Sequence, residues 1–255
     1  MKTEHIDINT PDGVCDTYIA YPDEGTENKT YPAVILFMDA YGPRQYMYDM
    51  AQKLASHGYY VMLPNMFYRV KKAPVVDLTF PLKQEDMPGA IEQIMAFFKT
   101  YKIEQAMQDA DVFLDFLATQ KQVRPGKIGT TGYCMGGALA VRLAARHPEK
   151  IAAAASYHAG NLATETPDSP HLLLSKIKAE LYIAHADNDK SMPAEQINRL
   201  DAALSASQVT HKSEVYSDAA HGFTMEDLPA YNQLALKRHW ESLLDLFARN
   251  LPGQK

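Results

Sequence analysis

The stretch Lys127-Ile128-Gly129-Thr130-Thr131-Gly132-Tyr133-Cys134-Met135-Gly136-Gly137-Ala138-Leu139-Ala140 decides how this chain reads. Lys127 to Gly132 has the character of a strand, and Gly136 to His147 that of a helix rich in small residues. A strand that turns straight into a helix leaves Cys134 on a tight, strained corner, the geometry of a nucleophile elbow. Residues two before and two after the corner must then be small, and Gly132 and Gly136 are. Ala138 and Ala140 keep the helix slender. The turn sets the sulfur near a helix N-terminus, where partial positive charge favours thiolate. The Met135 N–H that follows can point at a developing oxyanion. Two blander readings compete: a buried structural cysteine, and a nucleotide-binding glycine loop. Gly132-Tyr133-Cys134-Met135-Gly136-Gly137 matches neither GxGxxG nor GxxxxGK[ST], which disfavours the loop. The other cysteine, Cys15, sits mid-strand without small neighbours and reads as packing.

Outward from the elbow, strands and helices alternate. His5 to Thr10 and Val14 to Tyr21 read as a hairpin about Pro11-Asp12-Gly13, and Asp23 to Thr30 as a surface loop. Ala33 to Met38 and Tyr59 to Leu63 are continuous apolar runs, as in strands covered on both faces. Further strands are expected at Ile151 to Tyr157, Glu180 to Ala186 and Ser213 to Tyr216. Helices are expected at Arg44 to His57, Pro88 to Lys99, Gln105 to Thr119, Pro193 to Ala206 and Ala230 to Asn250. This order predicts one α/β domain over residues 1–255, with a mainly parallel twisted sheet and helices on both faces. The irregular stretch 64–103 is either a cap-like insertion facing substrate or a surface loop with one packing helix.

Composition narrows the function. Of 255 residues, 46% are hydrophobic and 22% charged, ordinary for a soluble globular chain. The net charge of −6 argues against a nucleic-acid surface. No apolar stretch approaches a membrane span and the N-terminus lacks an apolar core, so a cytoplasmic location is expected. There is no CxxC and no HExxH, so neither a metal nor an organic cofactor is expected.

A nucleophile in such a sheet needs an acid and a histidine further along the chain, each at a strand end. Asp189 lies in Asp187-Asn188-Asp189-Lys190-Ser191-Met192-Pro193, between a strand and a helix start. Asp187 competes with it. Asp189 is preferred because it stands four residues before Pro193, and helix capping is the alternative for either. His221 follows a strand in Asp218-Ala219-Ala220-His221-Gly222-Phe223 and precedes a long helix. His158, directly after a strand, is the closest rival and a candidate for lining the pocket. His57, His147 and His239 fall at the ends of helices or inside one.

With these residues assembled, the sequence resembles the dienelactone hydrolase family of the α/β-hydrolase superfamily. The resemblance rests on the elbow at 132–137, Asp189-Lys190-Ser191-Met192-Pro193, Ala220-His221-Gly222-Phe223, and Leu63-Pro64-Asn65-Met66-Phe67-Tyr68-Arg69. It implies an α/β-hydrolase fold, and an acidic residue at the end of the strand entering the oxyanion turn. Met38-Asp39-Ala40-Tyr41-Gly42 occupies that place, with Asp where the family usually has Glu. Asp39 would then tune the Cys134 thiol, or simply form the turn. The Ala40 N–H would join the Met135 N–H in the oxyanion hole. The family's dienelactone-cleaving members hold a substrate carboxylate with two arginines. Arg69 matches the first, with loop tethering as its alternative role. Thr224-Met225-Glu226-Asp227 stands where the second would be, which shifts the expectation away from dienelactone itself. Tyr41, Tyr133 and His158 complete the candidate substrate-binding residues with Arg69. Met66, Phe67, Tyr68, Phe97 and Phe98 are acyl-pocket candidates, with core packing as the alternative.

The expected activity is hydrolysis of a small-molecule ester or lactone through a thioester, by a monomer or homodimer without nucleic-acid or membrane partners. Two rivals remain. A glutamine amidotransferase-like enzyme would need H-x-E well downstream, and the one present, His147-Pro148-Glu149, lies too close to Cys134. A non-catalytic hydrolase-fold binding protein would be marked by loss of a triad member, and none is lost.

Overall fold

The computed structural model describes residues 1–23 and 29–251, so most of the loop expected at Asp23 to Thr30 lies outside the described residues. Strands β1 (Lys2–Thr10) and β2 (Gly13–Tyr21) form the antiparallel hairpin, paired in register from Lys2 with Tyr21 to Thr10 with Gly13. Gly13 takes φ +145° at the turn, a conformation that side chains rarely adopt. β1 alternates because it is the sheet edge, and β2 is buried towards its end because it pairs inward.

The remaining strands are β3 (Ala33–Phe37), β4 (Tyr60–Pro64), β5 (Ile128–Tyr133), β6 (Ile151–Tyr157), β7 (Glu180–Asn188) and, at the far edge, β8 (His211–Ala220). They complete an eight-stranded sheet of order β1-β2-β4-β3-β5-β6-β7-β8. β2 meets β4 antiparallel, and every pairing from β4 to β8 is parallel. β3, β4 and β5 are buried at every position, as continuous apolar or small-residue runs require.

The helices are α1 (Gln45–Ser56), α2 (Met87–Phe98), α3 (Ile103–Thr119), α4 (Met135–Arg146), α5 (Ala194–Ser207) and α6 (Gln233–Asn250). The order of strands reverses at β3. The connection through α1 runs from β3 to β4, while those through α4 and α5 run the opposite way across the sheet. Right-handed crossovers then put α1 on one face and α3, α4 and α5 on the other. α6 joins α1, with Lys53 over the Trp240 ring at 4.4 Å and Tyr59 against Phe247. Both faces are covered, and the strand ends at the reversal carry Asp39 and Cys134 side by side.

Several boundaries differ from the sequence reading, among them the end of β8 and the start of α6. β8 runs to Ala220 rather than Tyr216, because pairing with β7 resumes past a register shift, at Asn188 with Ala220. α6 begins at Gln233 rather than Ala230, because Asn232 caps it, its side chain accepting from the Ala235 N–H at 3.0 Å. Among the described residues no helix is long and apolar enough to cross a membrane.

Candidate active site

Cys134 sits between β5 and α4 with φ 55° and ψ −121°. The corner closes because nothing larger than hydrogen stands beside it. A Cβ on Gly132 would lie 2.0 Å from the Gly136 carbonyl oxygen, and one on Gly136 2.5 Å from the carbonyls of Phe37 and Met38. The Cys134 N–H donates to the Tyr157 carbonyl at 3.1 Å, pinning the elbow to β6. The half-buried sulfur lies at the head of α4, whose first N–H groups have no partner within the helix. Cys15 contrasts with it. It is fully buried, and burial pushes its thiol up to about 12.

Asp189, in the loop after β7, is buried and held by three donors. The Ser191 N–H and hydroxyl bind Oδ1 at 2.8 and 2.6 Å, and His221 Nδ1 lies 2.6 Å from Oδ2. Burial alone would raise this carboxyl, but the His221 and Ser191 bonds outweigh it and hold its pKa below the ordinary 3.8. Asp187 is exposed and, among the described residues, accepts only the Asp218 N–H, which separates the two aspartates.

His221 follows β8 with its ring 34% exposed. Nδ1 faces Asp189, which leaves Nε2 for Cys134. Burial opposes the imidazolium, yet the charge of Cys134 and hydrogen bonding to Asp189 and Cys134 raise its pKa well above 6.5. The stabilisation from this group is therefore complete below pH 6.5 and lost as pH rises through the raised folded value. That of Asp189 has the opposite sign: it holds above the ordinary carboxylate range and is lost as pH falls through the lowered value. The unfolding free energies of wild type and His221→Gln are accordingly expected to converge as pH rises above neutral. Denaturant titrations between pH 6 and 10 check this, and a pH-independent gap would refute it.

Cys134 and His221 stand at the junction of two chambers. The larger, about 970 Å³, is walled by Ile91, Met95 and Phe98 of α2, by Ala138 and Arg142 of α4, and by the 188–191 loop. The smaller, about 320 Å³, is bounded by Asp39, Ala40, Tyr41, Ile94, His158 and Leu228. Segment 64–103 thus supplies a wall of both through α2.

The remaining candidates divide. Ala40 borders the smaller chamber and Met135 the larger, on either side of the sulfur. Tyr41 and His158 also face the smaller chamber. His158 is fully buried, bonds Thr224 Oγ1 through Nε2 at 2.7 Å and packs edge-on against His221. Burial first, then the neighbouring His221 and His239 charges, drive its pKa well below 6.5, so it is a neutral wall. Tyr133 lies beneath the elbow, lines neither chamber, and bonds His239 at 2.8 Å. Arg69 is also elsewhere. Its guanidinium is spread over Asp12 and Asp109, with contacts of 2.7 to 3.0 Å, and stacks on Tyr68. Met66, Phe67 and Phe97 pack around it, Tyr68 bonds Asp109, and only Phe98 of that aromatic group reaches the chambers.

Asp39 does not hydrogen-bond Cys134. Its oxygens are taken by Arg44 at 2.7 and 2.9 Å and by the Tyr41 N–H at 2.9 Å. Arg44 is buried and also grips Asp227 through Nε at 2.6 Å and Nη2 at 3.1 Å. Its last N–H donates to the Gly42 carbonyl at 3.2 Å. All five donors are used. The clamp joins the turn carrying Ala40 to the loop that follows His221. Sequence reasoning missed both Arg44 and Ser191. A helix-opening arginine carries no pattern, whereas Asp-x-Ser was readable as an Asx turn. Among the described residues no group of three His, Cys, Asp or Glu could hold a metal ion.

The model of the dienelactone hydrolase family matches residues 15–251. The chain belongs to the dienelactone hydrolase family. Curated relatives of this dienelactone hydrolase family chain include "Putative carboxymethylenebutenolidase" of Salmonella typhi, 26% identical over 95% of this chain and 90% of that protein. A Synechocystis protein of the same name is 28% identical over 87% of each. Among solved structures, a "Putative Dienelactone Hydrolase" from Klebsiella pneumoniae superposes with a TM-score of 0.82. It is 21% identical, and the match covers 97% of this chain and 98% of that one. That likeness establishes the α/β-hydrolase fold. With the family, it makes this chain a hydrolase acting on ester or lactone bonds.

Proposed function

We propose that this hydrolase works through Cys134, His221 and Asp189, cleaving a small carboxylic ester or lactone by way of a thioester. One observation carries the reading: His221 is held between the Asp189 carboxylate and Cys134 where the two chambers meet. The sulfur attacks the carbonyl carbon, and the Ala40 and Met135 N–H groups receive the oxyanion. His221 gives a proton to the departing alkoxide, then takes one from the water that attacks the thioester. Asp189 keeps Nδ1 protonated and orients the ring. The acid product and the free thiol result. The two chambers give the acyl group and the alcohol separate places, and segment 64–103 acts as the cap over them. A thiolate is a good leaving group, so activated esters and enol lactones suit this site better than amides.

Rapid mixing with p-nitrophenyl acetate, acid quenching and peptide mass spectrometry test the covalent step. A burst of nitrophenol with an acetyl mass on the peptide bearing Cys134 is expected. An acetyl group mapped only to other residues overturns the mechanism.

A further inference from the structure

Among the described residues, Arg142 lines the larger chamber without an acidic partner. Cys134, Ala138 and Arg142 are spaced i, i+4 and i+8 along α4, so they share one face, and all three line that chamber. Arg142 lies about 12 Å along the helix axis from Cys134, and arginine side chains on a helix lean back towards its N-terminus. Its guanidinium is half-buried. Nη2 donates to the Asp168 carbonyl at 2.6 Å, and Nε is buried with no acceptor. Among the described residues Nη1 has no acceptor and no carboxylate lies within ion-pair distance. The Asp168 carboxylate attracts the group only at longer range.

In the wall of the same chamber the Tyr101 hydroxyl is also buried and, among the described residues, has no hydrogen-bond partner. Unpaired buried donors are costly, and two of them in one chamber wall mark a place for an acceptor. The other cation at this chamber is Lys190, and its one acid, Asp189, is committed to His221. In a chain of net charge −6, the uncommitted charge of this chamber is positive.

We propose that Arg142, with Tyr101 in the same chamber wall, forms an anion subsite that holds a carboxylate on the part of the substrate lying in the larger chamber. The preferred substrates are then esters or lactones that carry a carboxylate several atoms from the scissile carbonyl. This rests on the ester-hydrolase reading above. It places the anion on the nucleophile's own helix, where Arg69 does not reach.

The test compares p-nitrophenyl butyrate with mono-p-nitrophenyl adipate, and methyl 4-acetoxybenzoate with 4-acetoxybenzoate, on wild type, Arg142→Gln, Arg142→Lys and Tyr101→Phe. In Arg142→Gln the preference in kcat/KM for the charged member of at least one pair is expected to fall about 10- to 100-fold. The loss should lie in KM, and Arg142→Lys should restore part of it. Equal loss on charged and neutral esters would mean a merely structural arginine and overturn the subsite, as would an unchanged ratio. Calorimetry of adipate binding to the Cys134→Ala protein, with and without Arg142→Gln, separates the two readings. Binding abolished by Arg142→Gln in a protein that cleaves no ester keeps the subsite and removes the hydrolase mechanism. Hydrolysis without charge preference does the reverse.

Discussion

Cys134→Ala is expected to lower kcat/KM on activated esters by about 10⁴-fold or more, leaving only what the oxyanion donors and substrate positioning supply. The loss follows from the division of labour at the site. Without the sulfur there is no thioester, and His221 can act only as a base towards water. Water has no elbow to hold it against the carbonyl. The Asp189–His221 bond and both chambers stay in place, so the dissociation constant for substrate should move little. Cys134→Ser keeps an atom that can attack, and it should fall between alanine and wild type, because serine holds its proton more tightly than cysteine. All three residues have a Cβ and accept the same φ of 55°, so the backbone strain of the elbow is common to them. Steady-state rates with p-nitrophenyl acetate check the series. Activity of Cys134→Ala within tenfold of wild type would exclude a covalent role for the sulfur.

The elbow was legible because its requirement is local. Two glycines at fixed spacing, after a strand and before a helix, state a steric condition that the Gly132–Gly136 approach meets. Asp189 and His221 were legible as strand-end residues in the right chain order, and Pro193 distinguished Asp189 from Asp187. Every expected strand and helix is present, since apolar runs and amphipathic periods are also local. What could not be read depends on where separate segments meet. Arg69 stands in the motif that resembles the family's, but Asp12 and Asp109 come from a hairpin turn and from α3 and occupy its fork. Phe97 and Phe98 are adjacent in sequence, yet about 100° apart around α2, so Phe97 stacks on Phe67 while Phe98, edge-on to the same ring, also faces the chambers. Glu226 and Asp227 looked like the loss of an anion-binding arginine. Asp227 instead receives Arg44, which no sequence period connects to it. The proposed anion subsite instead puts positive charge at Arg142, a helix position that belongs to no motif.

Arg44→Met is expected to lower the unfolding free energy by about 3–5 kcal/mol. Methionine approximates the length of the side chain but leaves Asp39 and Asp227 buried without their shared counter-ion. Both are 9% exposed or less, so water can solvate them only by opening the loops that carry them. Five hydrogen bonds disappear together, and the two carboxylates then repel across the gap. The cost belongs to the stranded acids rather than to the missing arginine. A triple variant with Asp39→Asn and Asp227→Asn added should therefore recover much of the stability, since its amides need no cation. Activity should not recover with it. The clamp sets the turn bearing the Ala40 N–H against the loop that follows His221, and the neutral triple variant has no fork to fix that spacing. A low kcat with near-normal stability in the triple variant would identify Arg44 as a positioning residue. Urea titrations with ester kinetics on the same samples make both measurements. A loss below 1 kcal/mol for Arg44→Met would refute the stability argument, and parallel recovery of stability and kcat would remove the positioning role.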